Sequence, residues 1–256
     1  MIHPTAIVSP RARIADGVEI GPYSVIGDDV EIGTGTIVRS HVVINGPTVI
    51  GRDNRIYQFA SVGDDPQDKK YAGETTRLRI GDRNTIREFC TFSRGTSQDR
   101  GETIMGDDNW IMAYVHVAHD CVIGNNTIMA NNTTLAGHVH VGDWVICGGF
   151  SGAHQFCKIG AHAFLGMYCG VNRDVAAYTM VSGQPAVARG INSEGLKRRG
   201  FSAEQIRNIK NAYRITFRQG KRKEEAIDEI AELAPTRPEL DLFLDSLRSS
   251  ERGLTR

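Results

Sequence analysis

The sequence predicts a coiled wall of short parallel strands, closed towards the C-terminus by a few helices. Three observations carry this expectation. An aliphatic residue recurs at every sixth position without a break: Ile2, Val8, Ile14, Ile20, Ile26, Ile32, Val38, Ile44, Ile50, Ile56 and Val62. Glycine often follows it, as at Gly21, Gly27, Gly33 and Gly51. From about Val187 the rhythm changes to three- and four-residue spacings. A helix repeats every 3.6 residues and a strand every two, so neither sustains a period of six. A chain that turns back at fixed intervals does, with one residue per short face pointing inward. The high glycine count of 28 is then attributed to tight corners that need permissive dihedrals.

The register pauses after Val62 and resumes at Ile80, Ile86 and Phe92. The polar stretch Asp64 to Glu74 between them reads as an excursion from the wall. A second polar insertion, Arg94 to Glu102, shifts the register by one. The new series runs Met105, Ile111, Val117, Ile123, Met129, Leu135, Val141, Cys147, Ala153, Ile159, Leu165, Val171 and Ala177. Three six-residue faces make an 18-residue coil, with stacked coils about 4.8 Å apart. Beyond Val187, Ser202 and Gln205 form a capping box ahead of Ile206, Ile209, Tyr213 and Phe217, and Gly220 ends that helix. Glu224 to Leu233 reads as a second helix stopped before Pro235, and Pro238 opens a third containing Leu240, Phe243, Leu244 and Leu247. The expected division is a coiled domain over 1–186, with excursions near 64–79 and 94–103, and a helical domain over 187–256.

Composition narrows the function classes. Thirty basic and thirty acidic residues cancel, which gives no general case for nucleic acid. Five cysteines lie without a CxxC pair, and no signal peptide precedes them. This favours reduced thiols in a cytoplasmic protein. No apolar run is long enough to suggest a transmembrane segment. Basic residues gather from Lys197 to Lys223 at helical spacings, opposed by Glu204, Glu224, Glu225, Asp228 and Glu229. They form either a solvated face or a surface for an acidic partner.

The 18-residue ruler also locates a candidate site. Five of the eight histidines, His116, His119, His138, His140 and His154, fall in one part of the wall. Residues 18 apart stack, so His138 stands over Asp120, Gly137 over His119 and Gln155 over Gly137. His119, Asp120, Gly137, His138, His154 and Gln155 therefore converge on a patch of order 10 Å. Such a patch suits general-base chemistry: an imidazole to remove a proton, Asp120 to orient it, and the Gly137 N–H to meet oxyanion charge. Zinc on His116, His119, His138 and His154, or ordinary wall polarity, are the alternatives. Ser151 in Phe150-Ser151-Gly152 lacks the setting of a nucleophile.

Several strings give a family resemblance that spans the chain. They include Ile56-Tyr57-Gln58-Phe59-Ala60-Ser61, Lys70-Tyr71-Ala72-Gly73-Glu74, Ala118-His119-Asp120, Leu135-Ala136-Gly137-His138-Val139, His154-Gln155-Phe156-Cys157 and Glu194-Gly195-Leu196-Lys197-Arg198-Arg199-Gly200-Phe201. With them the chain resembles the bacterial acyl-carrier-protein:UDP-N-acetylglucosamine O-acyltransferases that begin lipid A synthesis. The resemblance implies a left-handed parallel β-helix of hexapeptide repeats with a C-terminal α-helical domain. It also implies a homotrimer with sites between neighbouring subunits. The implied reaction moves an R-3-hydroxyacyl group from acyl carrier protein to the sugar 3-hydroxyl, without metal or cofactor. His119 becomes the general base, Asp120 its orienting partner and Gly137 the oxyanion donor. Asp68, Lys70, His116, His138, His154 and Gln155 become substrate contacts, and Asn192, Glu194, Arg198 and Arg199 bind the nucleotide end.

Two positions vary from the family pattern. Ser93 stands where histidine is common, which bears on substrate choice. Met167 stands where long-chain members often carry glycine, so its side chain shortens the acyl groove and implies a 10-carbon preference. Two other readings follow from the same residues: an N-acyltransferase acting on a 3-amino UDP-sugar, and a non-catalytic β-helix that binds sugar nucleotide or carrier protein.

Overall fold

The computed structural model describes residues 1–256. The hexads build three parallel sheets that form the faces of a prism. The first has nine strands, from Ile7–Val8 to Gly170–Val171; the second has eight, from Arg13–Ile14 to Lys158–Ile159. The third has ten, starting at Glu19–Ile20 and ending with Thr179–Ser182 and Val187–Ile191. Only that last pair runs antiparallel. In the undisturbed coils the partner of a residue lies 18 positions on, as in Ile7 with Val25 and Val25 with Val43.

The two excursions obey different arithmetic. Ser61 pairs with Thr91, thirty positions on instead of eighteen, so the first excursion adds twelve residues. Twelve is two whole hexads, which is why the apolar register resumes in phase at Ile80. Thr85 pairs with Trp110, twenty-five positions on, so the second adds seven and advances the phase by one. The series ends at Val171, one step before Ala177. The last coil is two residues short, placing Val175 over Ile159 and Val181 over Leu165. Ala177 belongs to the core of the C-terminal helices instead.

Two residues per face, not one, point inward. Besides the hexad residue, the position two before it is buried: Val18, Val30, Val42, Cys90, Val115, Cys121, Val139, Cys157 and Cys169. These corner positions are small because the chain bends there. The same column holds a buried polar ladder in which Asn84 N–H donates to Asn54 Oδ1 and Asn109 N–H to Asn84 Oδ1, both at 2.9 Å. All five cysteines are unbridged and buried, and burial pushes the thiols of Cys90 and Cys147 up to about 11 and about 12.

The role expected for the hexad glycines is also corrected. Gly21 and Gly33 do not have positive φ; the left-handed corner positions are filled mostly by Asp, Asn, His and aromatics such as Tyr23, Asp29, His41 and Asp120, and by glycine at Gly17 and Gly35. Gly21 and Gly33 are glycine for want of space. A Cβ there would lie 2.7 Å from the backbone of Arg39 or of Gly51 in the next coil. Coil stacking, not dihedral freedom, excludes the side chain.

Helix α1 (Ser193–Arg198), which the spacing does not reveal, precedes α2 (Ala203–Arg218), α3 (Lys223–Leu233) and α4 (Asp241–Arg248). The Ser202–Gln205 capping box forms as expected. Pro238 opens a single 3₁₀ turn that leads into α4. Tyr178, Tyr213, Phe243 and Leu247 sit in a second core, separate from that of the coil, which reaches Ala186. Asp174 fastens the two: its carboxylate accepts from Lys158 N–H, Ser250 Oγ, Glu251 N–H and Arg252 N–H at 2.8–3.0 Å. No helix is long and apolar enough to cross a membrane.

Candidate active site

His119 sits just beyond the strand His116–Val117, where the first face turns into the second. The residue is 6 % exposed, and its Nδ1 lies 2.9 Å from Asp120 Oδ2. Asp120 is fully buried in the left-handed conformation, φ 58°, which turns its carboxylate back along the wall. Its oxygens accept from the Thr96 N–H at 3.0 Å and the Thr96 hydroxyl at 2.6 Å, while its own N–H donates to Thr103 Oγ1 at 2.8 Å. Burial alone would raise this carboxyl. The bonds from His119 and Thr96 outweigh it and hold Asp120 below the usual carboxylate range. A carboxylate so fixed assigns the proton on His119 to Nδ1 and leaves Nε2 as the acceptor.

One coil on, Gly137 stands over His119 as the ruler requires. A Cβ on Gly137 would come within 2.5 Å of His119 Cε1 and 2.7 Å of Nε2. Only glycine lets the ring lie there. The Gly137 N–H has no backbone partner, so it is free to donate to a bound group. His138 stands over Asp120, its Nδ1 3.9 Å from the carboxylate and 2.9 Å from Asp99 Oδ2. It meets His119 edge-on at 4.9 Å between centroids and stacks on Phe156 at 4.3 Å.

His119 and Gly137 face a groove of about 470 Å³ also lined by His116, Gln155 and, from the first excursion, Gln67, Asp68 and Lys69; His138 and His154 lie outside its lining. His116 is partly buried, bonded to Thr91 Oγ1 at 2.7 Å; burial, then the neighbouring His119, lower its pKa. His154 stays exposed, its Nδ1 turned to the Gln155 carbonyl at 3.3 Å. Lys70 is exposed and its N–H closes a turn on Asp68 Oδ1 at 3.0 Å; Lys69 takes the place in the lining. Ser93 is buried at the root of the first excursion, paired with Asp64, and does not line the groove.

The four-histidine zinc set does not assemble. His119, Asp120 and His138 alone bring ligand atoms within 4.8 Å of one another, and the Asp120 oxygens are already engaged by Thr96 and His119.

The residues expected at the nucleotide end lie on another corner of the prism. Asn192 is buried as the cap of α1: Oδ1 accepts from Gly195 N–H at 3.2 Å, and Nδ2 donates to the His162 carbonyl at 3.0 Å. Arg199 folds over the Trp144 ring at 5.2 Å, donates to the Trp144 carbonyl at 2.9 Å and lies 3.2 Å from His162 Nδ1. Glu194, paired with Lys197 at 2.7 Å, and Arg198 face solvent. Met167, 65 % exposed, follows the strand Phe164–Leu165 on the third corner. Within one chain, then, neither Met167 nor the Asn192–Arg199 set lines the groove of His119.

The sequence reading missed Thr96, Thr103 and Asp99, which hold Asp120 and His138. The available signal was the seven-residue insertion beside the histidine cluster. A segment that breaks the wall's register there has to be fastened to something.

Fold and site define an acyltransferase of the hexapeptide-repeat class: the bacterial transferase hexapeptide family matches residues 11–46 and 102–137. The domain family described as Udp N-acetylglucosamine O-acyltransferase, Domain 2, matches residues 174–255. The acyl-[acyl-carrier-protein]–UDP-N-acetylglucosamine O-acyltransferase of Thiobacillus denitrificans is 59 % identical over 255 residues, covering 100 % of this chain and 99 % of its own. That of Stutzerimonas stutzeri is 58 % identical over 256 residues with the same coverage. The crystal structure of the UDP-N-acetylglucosamine O-acyltransferase from Moraxella catarrhalis superimposes with a TM-score of 0.99 at 51 % identity, covering 100 % of this chain and 99 % of that one. The chain belongs to the acyl-[acyl-carrier-protein]–UDP-N-acetylglucosamine O-acyltransferase family.

Proposed function

We propose that this enzyme transfers an R-3-hydroxyacyl group, of 3-hydroxydecanoyl length, from acyl carrier protein to the 3-hydroxyl of UDP-N-acetylglucosamine, the first step of lipid A biosynthesis. The observation that carries the chemistry is the stack of Gly137 on His119 with Asp120 behind it. His119 Nε2 takes the proton of the sugar hydroxyl as its oxygen attacks the thioester carbonyl. The Gly137 N–H then donates to the oxyanion of the tetrahedral intermediate. Collapse breaks the C–S bond, and the imidazolium returns its proton to the departing carrier thiolate. Asp120 stabilises the imidazolium while it lasts. Asp68, Lys70, His116, His138, His154 and Gln155 hold the substrates.

The same proposal takes the coil as left-handed and the working unit as a cytoplasmic homotrimer, with the coiled domain over 1–186 and the helical domain over 187–256. Its support is spatial. Met167, Glu194 and Arg198 are exposed on corners away from His119, and packing against a neighbouring copy is what would bring them to a groove. Met167 then occupies the far end of the acyl channel. Each excluded methylene is worth only about 0.8 kcal/mol by transfer, so steric exclusion has to supply the sharper selection.

Mass analysis of products from an acceptor-by-donor matrix tests this reading. Hydroxyl and 3-amino UDP-sugars are crossed with carrier proteins bearing 10-, 12- and 14-carbon 3-hydroxyacyl chains. The expected product is the O-acylated sugar with 10 carbons. Equal or faster turnover of the 14-carbon donor would remove the length assignment, and preferred acylation of the amine would replace the acceptor.

A further inference from the structure

Resting on the reading of His119 as the base, we propose that Arg94 and Thr96, two residues of one buried turn, are positioning residues. Arg94 seats the excursion loop that carries Asp68 and Lys70, and Thr96 fixes the carboxylate that orients His119.

Arg94 is a charged side chain in a place that a charge enters only with partners: it is 7 % exposed. Its Nη1 donates to the Gly63 carbonyl at 2.6 Å, and its Nη2 donates to the Asp65 carboxylate and to the Tyr71 hydroxyl, the latter at 3.1 Å. Tyr71 Oη in turn reaches the Glu74 carbonyl at 3.1 Å. Gly63, Asp65, Tyr71 and Glu74 bracket the excursion at both ends, with Asp68 and Lys70 between them. With the loop displaced, the guanidinium would lose Asp65 and Tyr71 and keep only the Gly63 carbonyl of the wall strand. Its Nε is already buried without a partner, so the loop is what makes the buried charge tolerable.

Two residues on, Thr96 gives Asp120 both of its donors apart from His119. Gly95 between them has no room for a side chain; a Cβ would sit 2.1 Å from Glu102 N. The turn therefore joins Arg94 and Thr96 through tightly packed backbone, and registers the substrate loop against the catalytic pair. This is the use of the seven extra residues that break the coil's phase.

The test separates the two halves by steady-state kinetics on the full-length protein. Thr96→Val keeps the shape and the backbone N–H but deletes the hydroxyl donor. It should lower kcat about tenfold, the low end for a hydrogen bond to a charged group, with KM for the sugar nucleotide within about twofold. Thr96→Ser should restore kcat. Arg94→Gln should raise that KM about tenfold with kcat within about threefold, and should speed tryptic cleavage after Lys69 and Lys70. Tyr71→Phe, a milder change that leaves the core intact, should move KM and cleavage in the same direction. Unchanged kcat in Thr96→Val, or unchanged KM and cleavage in both Arg94→Gln and Tyr71→Phe, overturns the assignment. A His119→Ala variant run alongside distinguishes the failures. If it is inactive while Thr96→Val is normal, only the positioning role falls. If it stays active, the base reading falls, and the role of Thr96 with it.

Discussion

His119 and His162 are both buried in the wall, at 6 % and 8 % exposure, and both sit at corners of the coil. Their neighbours give them opposite uses. His119 has a carboxylate on one nitrogen and an open groove beside the other, with a glycine leaving the ring room. His162 lies between Trp144 and Tyr178, nearly parallel to both, and its Nδ1 faces Arg199. Burial, and then that guanidinium, push its pKa down to about 4. On the proposed reading, a wall imidazole does proton chemistry where an anion lies on one nitrogen and the other is left vacant. Packed between aromatics beside a cation, it is a neutral spacer.

The sharpest way to break this contrast is to remove each ring. His119→Ala is expected to lower kcat at least about 100-fold while the fold persists, whereas His162→Gln should leave kcat within a few-fold. Equal losses in the two variants, measured with the purified enzymes at saturating substrates, would erase the distinction. The next effect concerns space. Gly137→Ala should displace the His119 ring and cost about 10- to 100-fold in kcat, with a lower unfolding midpoint from overpacking of about 1–3 kcal/mol. A crystal structure of this variant with the ring unmoved, together with normal turnover, would remove Gly137 from the site.

The smallest effect belongs to His162 and is one of stability. Its folded pKa is depressed to about 4, while the unfolded value is near 6.5. Between these values the unfolded chain binds the extra proton. Stability from this group is therefore complete above about pH 6.5 and declines as pH falls towards 4, by about 1–3 kcal/mol in all. Urea midpoints at about pH 7.5 and about pH 5 should converge in His162→Gln compared with the parent. The same drop in both proteins would assign the acid sensitivity to other groups.

Much of this molecule was legible from the hexad. The period located the inward residues, and its multiple of 18 placed Gly137 over His119 and His138 over Asp120, as the structure has them. Helices α2 and α3 followed from the Ser202 cap and from the spacing up to Pro235. The second inward column was not legible, because corner positions accept Val, Cys, Asn or Thr alike and so carry no apolar rhythm. The hexad glycines Gly21 and Gly33 were legible as a pattern but not as a cause: contact with the next coil, not φ, excludes their side chains, whereas Gly17 and Gly35 do take positive φ. Helix α1 escaped because its six residues are too short for a period; Asn192 and Arg199 hold it to the wall.

The sequence by itself determined which residues repeat, which stack and which family the chain resembles, since a fixed period converts chain distance directly into spatial distance. Only the tertiary structure decided what the aperiodic segments do. Arg94 and Thr96 lie in an insertion with no period, so no ruler relates them to Asp65 or Asp120. Their partners are set by where the loop closes and by the need of a buried charge and a buried carboxylate to be satisfied. The ruler stops where the repeat does, and there the packing of each loop assigned its residues.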